Sequence, residues 1–192
     1  MKIFLCFVFF SVVSIKTYSQ GTITVRDRIF FGGNIGLWAD NVYTDIELSP
    51  IVGYYITPRF SAGLGATYKY LNYKISLRPD GSWNRLETHS WGGKTFANYV
   101  LIHNVGEFIP LGLNFRVFAH SEYEVLRYEG RFFGKNEQKN VWQQNVLAGG
   151  GFRLPMGARS SMNITFLWYV FSDPPFPSGI DNRFSFRVSY NF

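Results

Sequence analysis

Residues 184–192 read FSFRVSYNF, and in this stretch apolar and polar residues alternate strictly. The apolar set is Phe184, Phe186, Val188, Tyr190 and Phe192, separated by Ser, Arg and Asn. Because successive side chains of a strand point to opposite faces, the stretch predicts a β-strand with one apolar and one polar face. The apolar face must then lie against a protein core or against lipid.

The same alternation recurs along most of the chain and predicts about eight strands, each near the length that a tilted strand needs to cross a bilayer. The predicted strands are residues 29–38, 44–56, 60–73, 93–105, 113–126, 141–154, 161–171 and 183–192. In seven of them, one set of alternate residues contains no charged side chain. The fourth strand is ambiguous, and only Lys94 and Asn98 indicate which of its faces points inward.

The opposite faces of these strands carry the ionisable side chains. They are Asp45, Glu47, Lys69, Arg116, His120, Glu122, Glu124, Arg153, Arg183 and Arg187. A Lys or Arg that faces lipid costs about 2–4 kcal/mol at the bilayer midplane, so these faces are expected to line an interior. A soluble barrel of the lipocalin kind would have the reverse distribution. The sequence therefore predicts an all-β, membrane-spanning, up-and-down antiparallel barrel.

The predicted connections alternate in length. Residues 57–59, 106–112 and 155–160 are tight and contain Gly or Pro, whereas residues 74–92, 127–140 and 172–182 are longer and polar; residues 39–43 are the exception. Outer-membrane barrels have short periplasmic turns and longer outer loops, so both termini are predicted to be periplasmic. The segments 74–92 and 127–140 are then the expected contact surface. Its candidate contact residues are Trp83, Arg85, Trp91, Arg131 and Lys135.

The composition excludes two other classes of protein. The chain of 192 residues has 20 Phe and 12 Tyr, yet its mean hydropathy is −0.04, and no apolar run of about eighteen residues follows the first fifteen. This excludes a helical membrane protein. The net charge of +6 occurs without a run of Lys and Arg, which argues against nucleic-acid binding and favours nearby anionic lipid head groups.

The first residues have the pattern of a secretory signal peptide. Lys2 precedes an apolar run at residues 3–15, and the small residues Thr17 and Ser19 follow at the positions expected before a cleavage site. We expect residues 1–19 to be removed near 19/20 and residues 20–192 to form one barrel domain. A retained anchor is the alternative, because residues 18–20 match the usual cleavage pattern poorly. The single cysteine, Cys6, would leave with the signal, so no disulfide is expected.

The last predicted strand resembles that of the small OmpA/OmpX-type outer-membrane barrels. In that family the final strand ends in an aromatic residue that the barrel-assembly machinery reads, and residues 184, 186, 188, 190 and 192 are the expected assembly signal here. The resemblance implies residence in a Gram-negative outer membrane, among outer-membrane lipids and lipopolysaccharide. It implies no single activity, because these barrels serve as adhesins, envelope tethers, small pores and lipid-modifying enzymes.

Three functions remain open from the sequence. The favoured one is an envelope-structural or surface-interaction role toward an extracellular ligand or envelope protein, with the interior charges forming an ion-paired filling. The alternative is a small pore or transporter that uses those charges as an ion path or proton relay. The third is a lipid A-modifying hydrolase. The lipid A deacylase barrels use a His and a Ser two residues apart on one face, whereas His89 precedes Ser90 directly and His120 precedes Ser121 directly. Adjacent residues point to opposite sides, so no enzyme, cofactor or metal site is expected.

Overall fold

The computed structural model is a closed barrel of eight antiparallel strands, in which each strand pairs with the next and the last pairs with the first. The strands are β1 Ile29–Ala39, β2 Tyr43–Tyr55, β3 Phe60–Leu77, β4 Trp83–Ile102, β5 Arg116–Glu129, β6 Asn140–Pro155, β7 Ser161–Asp173 and β8 Phe184–Asn191. Short 3-10 helices cover Val25–Arg28, Val105–Glu107 and Gly130–Phe133. The all-β barrel prediction is confirmed, and so is the resemblance to small outer-membrane barrels at the level of the fold.

The structure describes residues 25–39, 43–77, 83–107, 114–133, 139–157, 160–176 and 184–192. The predicted signal peptide, residues 1–19, lies outside the described residues. Within the described part of the chain, no helix is both long and apolar enough to span a membrane.

The two faces of the wall differ as the alternation predicts. Outward-facing Ile35, Leu64 and Val170 are 60%, 63% and 67% exposed, whereas inward-facing Lys69 and Arg187 are buried. The ambiguous fourth strand places Lys94, Phe96, Asn98 and Val100 inside, and Thr95, Tyr99 and Leu101 outside. An apolar outer wall around a polar, charged interior is the arrangement of a membrane-spanning barrel.

The β3–β4 hairpin corrects the largest error of the sequence prediction. Residues 74–92 were expected to form a loop, but β3 continues to Leu77 and β4 begins at Trp83, and the two strands pair as far as Leu77 with Trp83. The part of a strand that extends beyond the hydrocarbon core of the membrane is in water, so its outer face can be polar. Polar residues in this segment therefore do not mark the end of the strand. Asn72 and Glu87, for example, hydrogen bond across the two strands at 3.1 Å.

Smaller corrections concern strand ends. β5 extends to Glu129 and β6 begins at Asn140, so part of the expected loop 127–140 is strand or 3-10 helix. β4 ends at Ile102 rather than at residue 105, because the chain turns into the 3-10 helix Val105–Glu107. We name the end of the barrel that holds the start of β1 and the finish of β8 the terminal end, and the opposite end, where the β3–β4 hairpin closes, the hairpin end.

The interior consists of an apolar cluster near each end and polar side chains between them. Near the hairpin end, Leu71, Leu126, Tyr128 and Phe132 form a buried cluster. Near the terminal end, Phe30, Ile51 and Phe96 form a second one, with the partly buried Tyr55 against it. The charged residues in the middle of the lumen therefore lie between two apolar layers.

Candidate functional site

The middle of the lumen holds six charged side chains that form one connected group, which we call the ionic network. It comprises three carboxylates and three cations from β2, β3, β4, β5 and β8: Glu47, Lys69, Lys94, Glu122, Glu124 and Arg187. Each of these residues is at most 4% exposed. Their formal charges cancel, which is what a buried set of ions requires to avoid an uncompensated charge.

Arg187 joins two carboxylates on different strands. Its Nη1 donates to both oxygens of Glu122, at 2.7 and 2.8 Å. Its Nη2 lies 3.0 Å from Glu47 Oε2. Lys94 lies beside the same two carboxylates, with its Nζ 3.2 Å from Glu47 Oε1 and 3.4 Å from Glu122 Oε2. Two cations and two carboxylates thus form a closed ring of short contacts.

Lys69 extends this ring toward the hairpin end. Its Nζ donates to Glu124 Oε2 at 2.9 Å and to the Tyr169 hydroxyl at 3.0 Å, and it lies 3.5 Å from Glu47 Oε2. The side-chain amide of Asn145 donates to Glu124 at 3.4 Å. Glu47 is therefore within 4 Å of all three cations and is the centre of the network.

The network leaves little free space around it. The cavity that Arg187 and His120 line together with apolar residues such as Phe118 has a volume of about 20 Å³. That volume holds about one water molecule. With an apolar layer on either side, this arrangement can hold charges rigidly, and the described space beside Arg187 has room for little more than one water molecule.

His120 lies at the edge of the network, toward the terminal end. One ring nitrogen, Nδ1, is 2.6 Å from Asn98 Oδ1, and the other, Nε2, is 3.4 Å from Glu122 Oε2. The imidazole stacks on the Phe96 ring at 5.9 Å. Its sequence neighbour Ser121 points outward.

The second adjacent His–Ser pair also straddles the barrel wall. His89 is exposed on the outer face, where its Nδ1 is 2.7 Å from the Tyr68 hydroxyl, whereas Ser90 is fully buried inside. Within the part of the chain that the structure describes, no three His, Cys, Asp or Glu side chains come together as metal ligands.

Three other predicted interior charges, Arg116, Arg153 and Asp45, are not members of the ionic network as defined above. Arg116 and Arg153 lie near the terminal end, opposite each other on β5 and β6. Asp45 lies farther toward the hairpin end, and Arg183 is outside the described residues. Lys94 is the network member that the predicted set lacked, because the alternation of its strand was the least clear.

Of the five predicted loop contacts, the structure describes the side chains of Trp91 and Arg131. Trp91 is in β4 and faces outward, with the Arg127 guanidinium 5.1 Å from its ring and the Trp142 ring at 6.2 Å. Trp83 and Arg85 are also in β4, although the positions of their side chains are outside what the structure describes. Arg131 is exposed and pairs with Glu129 at 2.6 Å, and Lys135 lies outside the described residues.

The apolar residues of the final strand pack along the outer wall. Phe186 contacts Phe166 of β7 with ring centroids 5.5 Å apart, and Phe192 contacts Phe31 of β1 at 6.4 Å. The backbones of Phe31 and Phe192 exchange two hydrogen bonds, at 3.0 and 2.8 Å. This end of the chain thus helps to close the barrel onto β1.

Comparison with known proteins gives likenesses of fold only. No protein-family model and no curated protein matches the chain. Among solved structures, the N-terminal β-barrel domain of Pseudomonas aeruginosa OprF is 12% identical over 86% of this chain and 98% of that chain, with a TM-score of 0.48. Ail, the attachment invasion locus protein of Yersinia pestis, is 8% identical over 86% and 97%, with a TM-score of 0.33. The NanC porin is 14% identical over 85% and 78%, with a TM-score of 0.32.

Proposed function

We propose that the protein is an integral barrel of the Gram-negative outer membrane, with a closed lumen and a structural or surface-contact role carried by its hairpin end. The observation that carries the proposal is the neutral ionic network between two apolar layers, which fills the lumen where a pore would need water. A filled barrel contributes its outer surfaces to function rather than its interior.

The hairpin end supports a contact role because it is long and internally packed. β3 and β4 contain 18 and 20 residues, roughly twice the 9–11 that cross a bilayer. The inner side of this projection carries Tyr73 and Leu86, which pack on the apolar cluster around Leu126 and Phe132. A projection with its own apolar core presents its outer face in a fixed shape, which reduces the ordering cost when a partner binds.

The outer wall supports contact with anionic lipid at the edge of the apolar band. Arg127 faces outward there with Trp91 and Trp142 around it, and both indoles are about half exposed. Tryptophans at this level are typical of the membrane interface, and an arginine between them is placed to meet the phosphate of a lipopolysaccharide.

Conductance measurement tests the closed lumen. Purified protein inserted in planar bilayers is expected to give no reproducible conductance steps, because the paired side chains of the ionic network occupy the middle of the lumen. The matched variant Glu47→Ala removes the central carboxylate and adds volume, so occasional small steps are expected from it alone. Regular steps from the unmodified protein would favour the small pore or transporter instead.

Thiol labelling tests the orientation. The sequence has one cysteine, Cys6, in the predicted signal peptide, so a cysteine placed by Arg131→Cys, at an exposed position of the hairpin end, can be labelled selectively. We expect a membrane-impermeant maleimide to label this variant on intact cells and to leave Thr57→Cys, in a turn at the terminal end, unlabelled. The opposite pattern would invert the proposed topology.

The proposal includes no catalytic activity. Its support is that His89 and Ser90, and likewise His120 and Ser121, lie on opposite sides of the wall. Mass spectra of lipid A from cells that express the protein are expected to match those of cells without it, and a new deacylated species would reverse this part of the proposal.

A further inference from the structure

A second cavity opens at the terminal end and differs from the space beside the ionic network. Its volume is about 580 Å³, within the range of small-molecule sites. Its walls come from both faces of the barrel. Tyr55, Arg116 and Arg153 line it from inside the lumen, whereas Phe31 and Phe192 belong to the outer, lipid-facing wall. The cavity therefore crosses the rim between the lumen and the surrounding membrane.

Arg153 is the buried charged group of this cavity. It is 4% exposed, its Nε donates to Asn163 Oδ1 at 2.9 Å, and its guanidinium lies 5.4 Å from the centre of the Phe118 ring. Its Nη2 is buried and has no hydrogen-bond partner among the residues that the structure describes. A buried charged donor without a hydrogen bond costs folding free energy, so this N–H group is suited to donate to a bound ligand.

Arg116 places a second guanidinium on the same cavity wall, directly opposite Arg153 in the pairing of β5 with β6. The cavity lining also includes the exposed carboxylate of Asp27, so two guanidinium groups and one carboxylate leave it with a net positive charge. Two adjacent cations in a partly buried site repel each other, and an anion between them removes that repulsion. Guanidinium groups present pairs of N–H donors that match the oxygens of a phosphate.

We propose that this cavity, which we call the rim site, binds the phosphate group of a phospholipid at the terminal end of the barrel. The head group reaches Arg116 and Arg153 inside the mouth, and the acyl chains lie along the outer wall at Ile29, Phe31 and Phe192. An amphiphile fits because the walls change from cationic to apolar across the rim. The phosphate site is argued from Arg116 and Arg153 alone. The inference that the phosphate belongs to a lipid rests in addition on the proposed membrane location.

Native mass spectrometry of the purified protein in a non-ionic detergent tests the rim site. The protein is titrated with phosphatidylglycerol, with diacylglycerol as the matched probe that lacks phosphate, and inorganic phosphate is added as a competitor. We expect one tightly bound phosphatidylglycerol and no comparable binding of diacylglycerol.

Two variants and a control make the test specific. Arg116→Glu places a carboxylate opposite Arg153, so it supplies a partner for that guanidinium and keeps the fold while blocking the anion. Arg153→Gln removes the buried cation. Loss of one charge-assisted contact reduces affinity about ten- to a hundredfold, which is the reduction expected for both variants. Arg59→Gln, at an exposed arginine in a turn of the same end, is expected to leave binding unchanged.

The outcomes separate the two sources of phosphate. Binding that needs both arginines and prefers phosphatidylglycerol supports the lipid. Binding of inorganic phosphate with equal or greater affinity, still lost in Arg116→Glu, retains the anion site but replaces the lipid with free phosphate. Unchanged lipid binding in a folded Arg116→Glu protein would overturn the rim site.

Discussion

Replacing Glu122 with glutamine is the most direct test of the ionic network. The Glu122 side chain is fully buried and accepts two hydrogen bonds from Arg187 Nη1 at 2.7 and 2.8 Å, with Lys94 Nζ at 3.4 Å. Glutamine keeps the shape of the side chain and loses its charge. The network would then contain two carboxylates and three cations, and one positive charge in the lumen would lack compensation.

The cost follows from these distances and from burial. At an effective dielectric constant of about 20, unit charges 2.7 Å apart attract by about 6 kcal/mol. Arg187 keeps its contact with Glu47 at 3.0 Å, and the glutamine oxygen still accepts a hydrogen bond, so part of this energy is retained. Breaking a buried ion pair by removing one partner typically costs about 3–5 kcal/mol, and we expect Glu122→Gln to fall in that range.

Urea unfolding of the protein in lipid vesicles, followed by tryptophan fluorescence, measures this loss. The control is Glu129→Gln, whose ion pair with Arg131 is as short, at 2.6 Å, but whose two side chains are 39% and 59% exposed. An exposed pair contributes at most about 1 kcal/mol. The double variant Glu122→Gln/Lys94→Gln restores a neutral ionic network and is expected to be more stable than Glu122→Gln alone. Equal effects of Glu122→Gln and Glu129→Gln would mean that water screens the lumen, and the closed-lumen proposal would be wrong.

Three further variants test the faces and the layers of the barrel in the same unfolding assay. Leu64→Arg places a cation on the lipid-facing wall and should lower the free energy of unfolding in vesicles by about 2–4 kcal/mol if Leu64 lies near the bilayer midplane. An unchanged free energy of unfolding would mean that this face is not in hydrocarbon. Leu126→Ala empties part of the fully buried cluster at the hairpin end and should cost about 2–5 kcal/mol, whereas a much smaller loss would show that the cluster is loosely packed. Gly53→Ala adds a Cβ that would overlap the Phe30 ring, so we expect a loss of about 1–3 kcal/mol, and an unchanged midpoint would contradict the packing at the terminal end.

The sequence predicts the two faces of most strands well, because the outer face contacts lipid and must be apolar, whereas the inner face can carry polar and charged side chains. Along β2, outward Ile46 and Leu48 alternate with inward Glu47 and Ser49, and shifting the register by one residue would turn Glu47 into lipid. β4 is less clear because inward Phe96 and Val100 are as apolar as the outward residues. They pack inside the barrel, so hydropathy alone does not separate the two faces.

The alternation of polar and apolar residues shows which face of a strand a side chain is on, but not its position along the barrel axis. For this reason the sequence could not predict which interior charges lie close together. Arg116 and Glu122 share a face of β5, but six residues separate them, which is about 20 Å along a strand. Which charges reach one another depends on the stagger between neighbouring strands, and closure alone determines that stagger. Of the ten predicted ionisable residues, five therefore belong to the central network and His120 lies at its edge. Arg116 and Arg153 lie near the terminal end and Asp45 lies toward the hairpin end, whereas Arg183 is outside the described residues.

The ionic network also bears on how the barrel closes. β8 contains eight residues, and its ladder with β1 pairs residues 32–36 with residues 187–191, followed by the two hydrogen bonds between Phe31 and Phe192. Among the described residues this is the shortest pairing of adjacent strands. Arg187 lies in this seam and reaches across the lumen to Glu122 on β5, and it also contacts Glu47 on β2 over Gly36 of β1. A bond across the lumen holds β8 against strands that its backbone does not touch, so it stabilises closure where backbone hydrogen bonds are fewest. The Arg187 guanidinium thus both fills part of the lumen and stabilises the pairing of β8 with β1. Separating it from either carboxylate would leave an unpaired charge in the barrel interior.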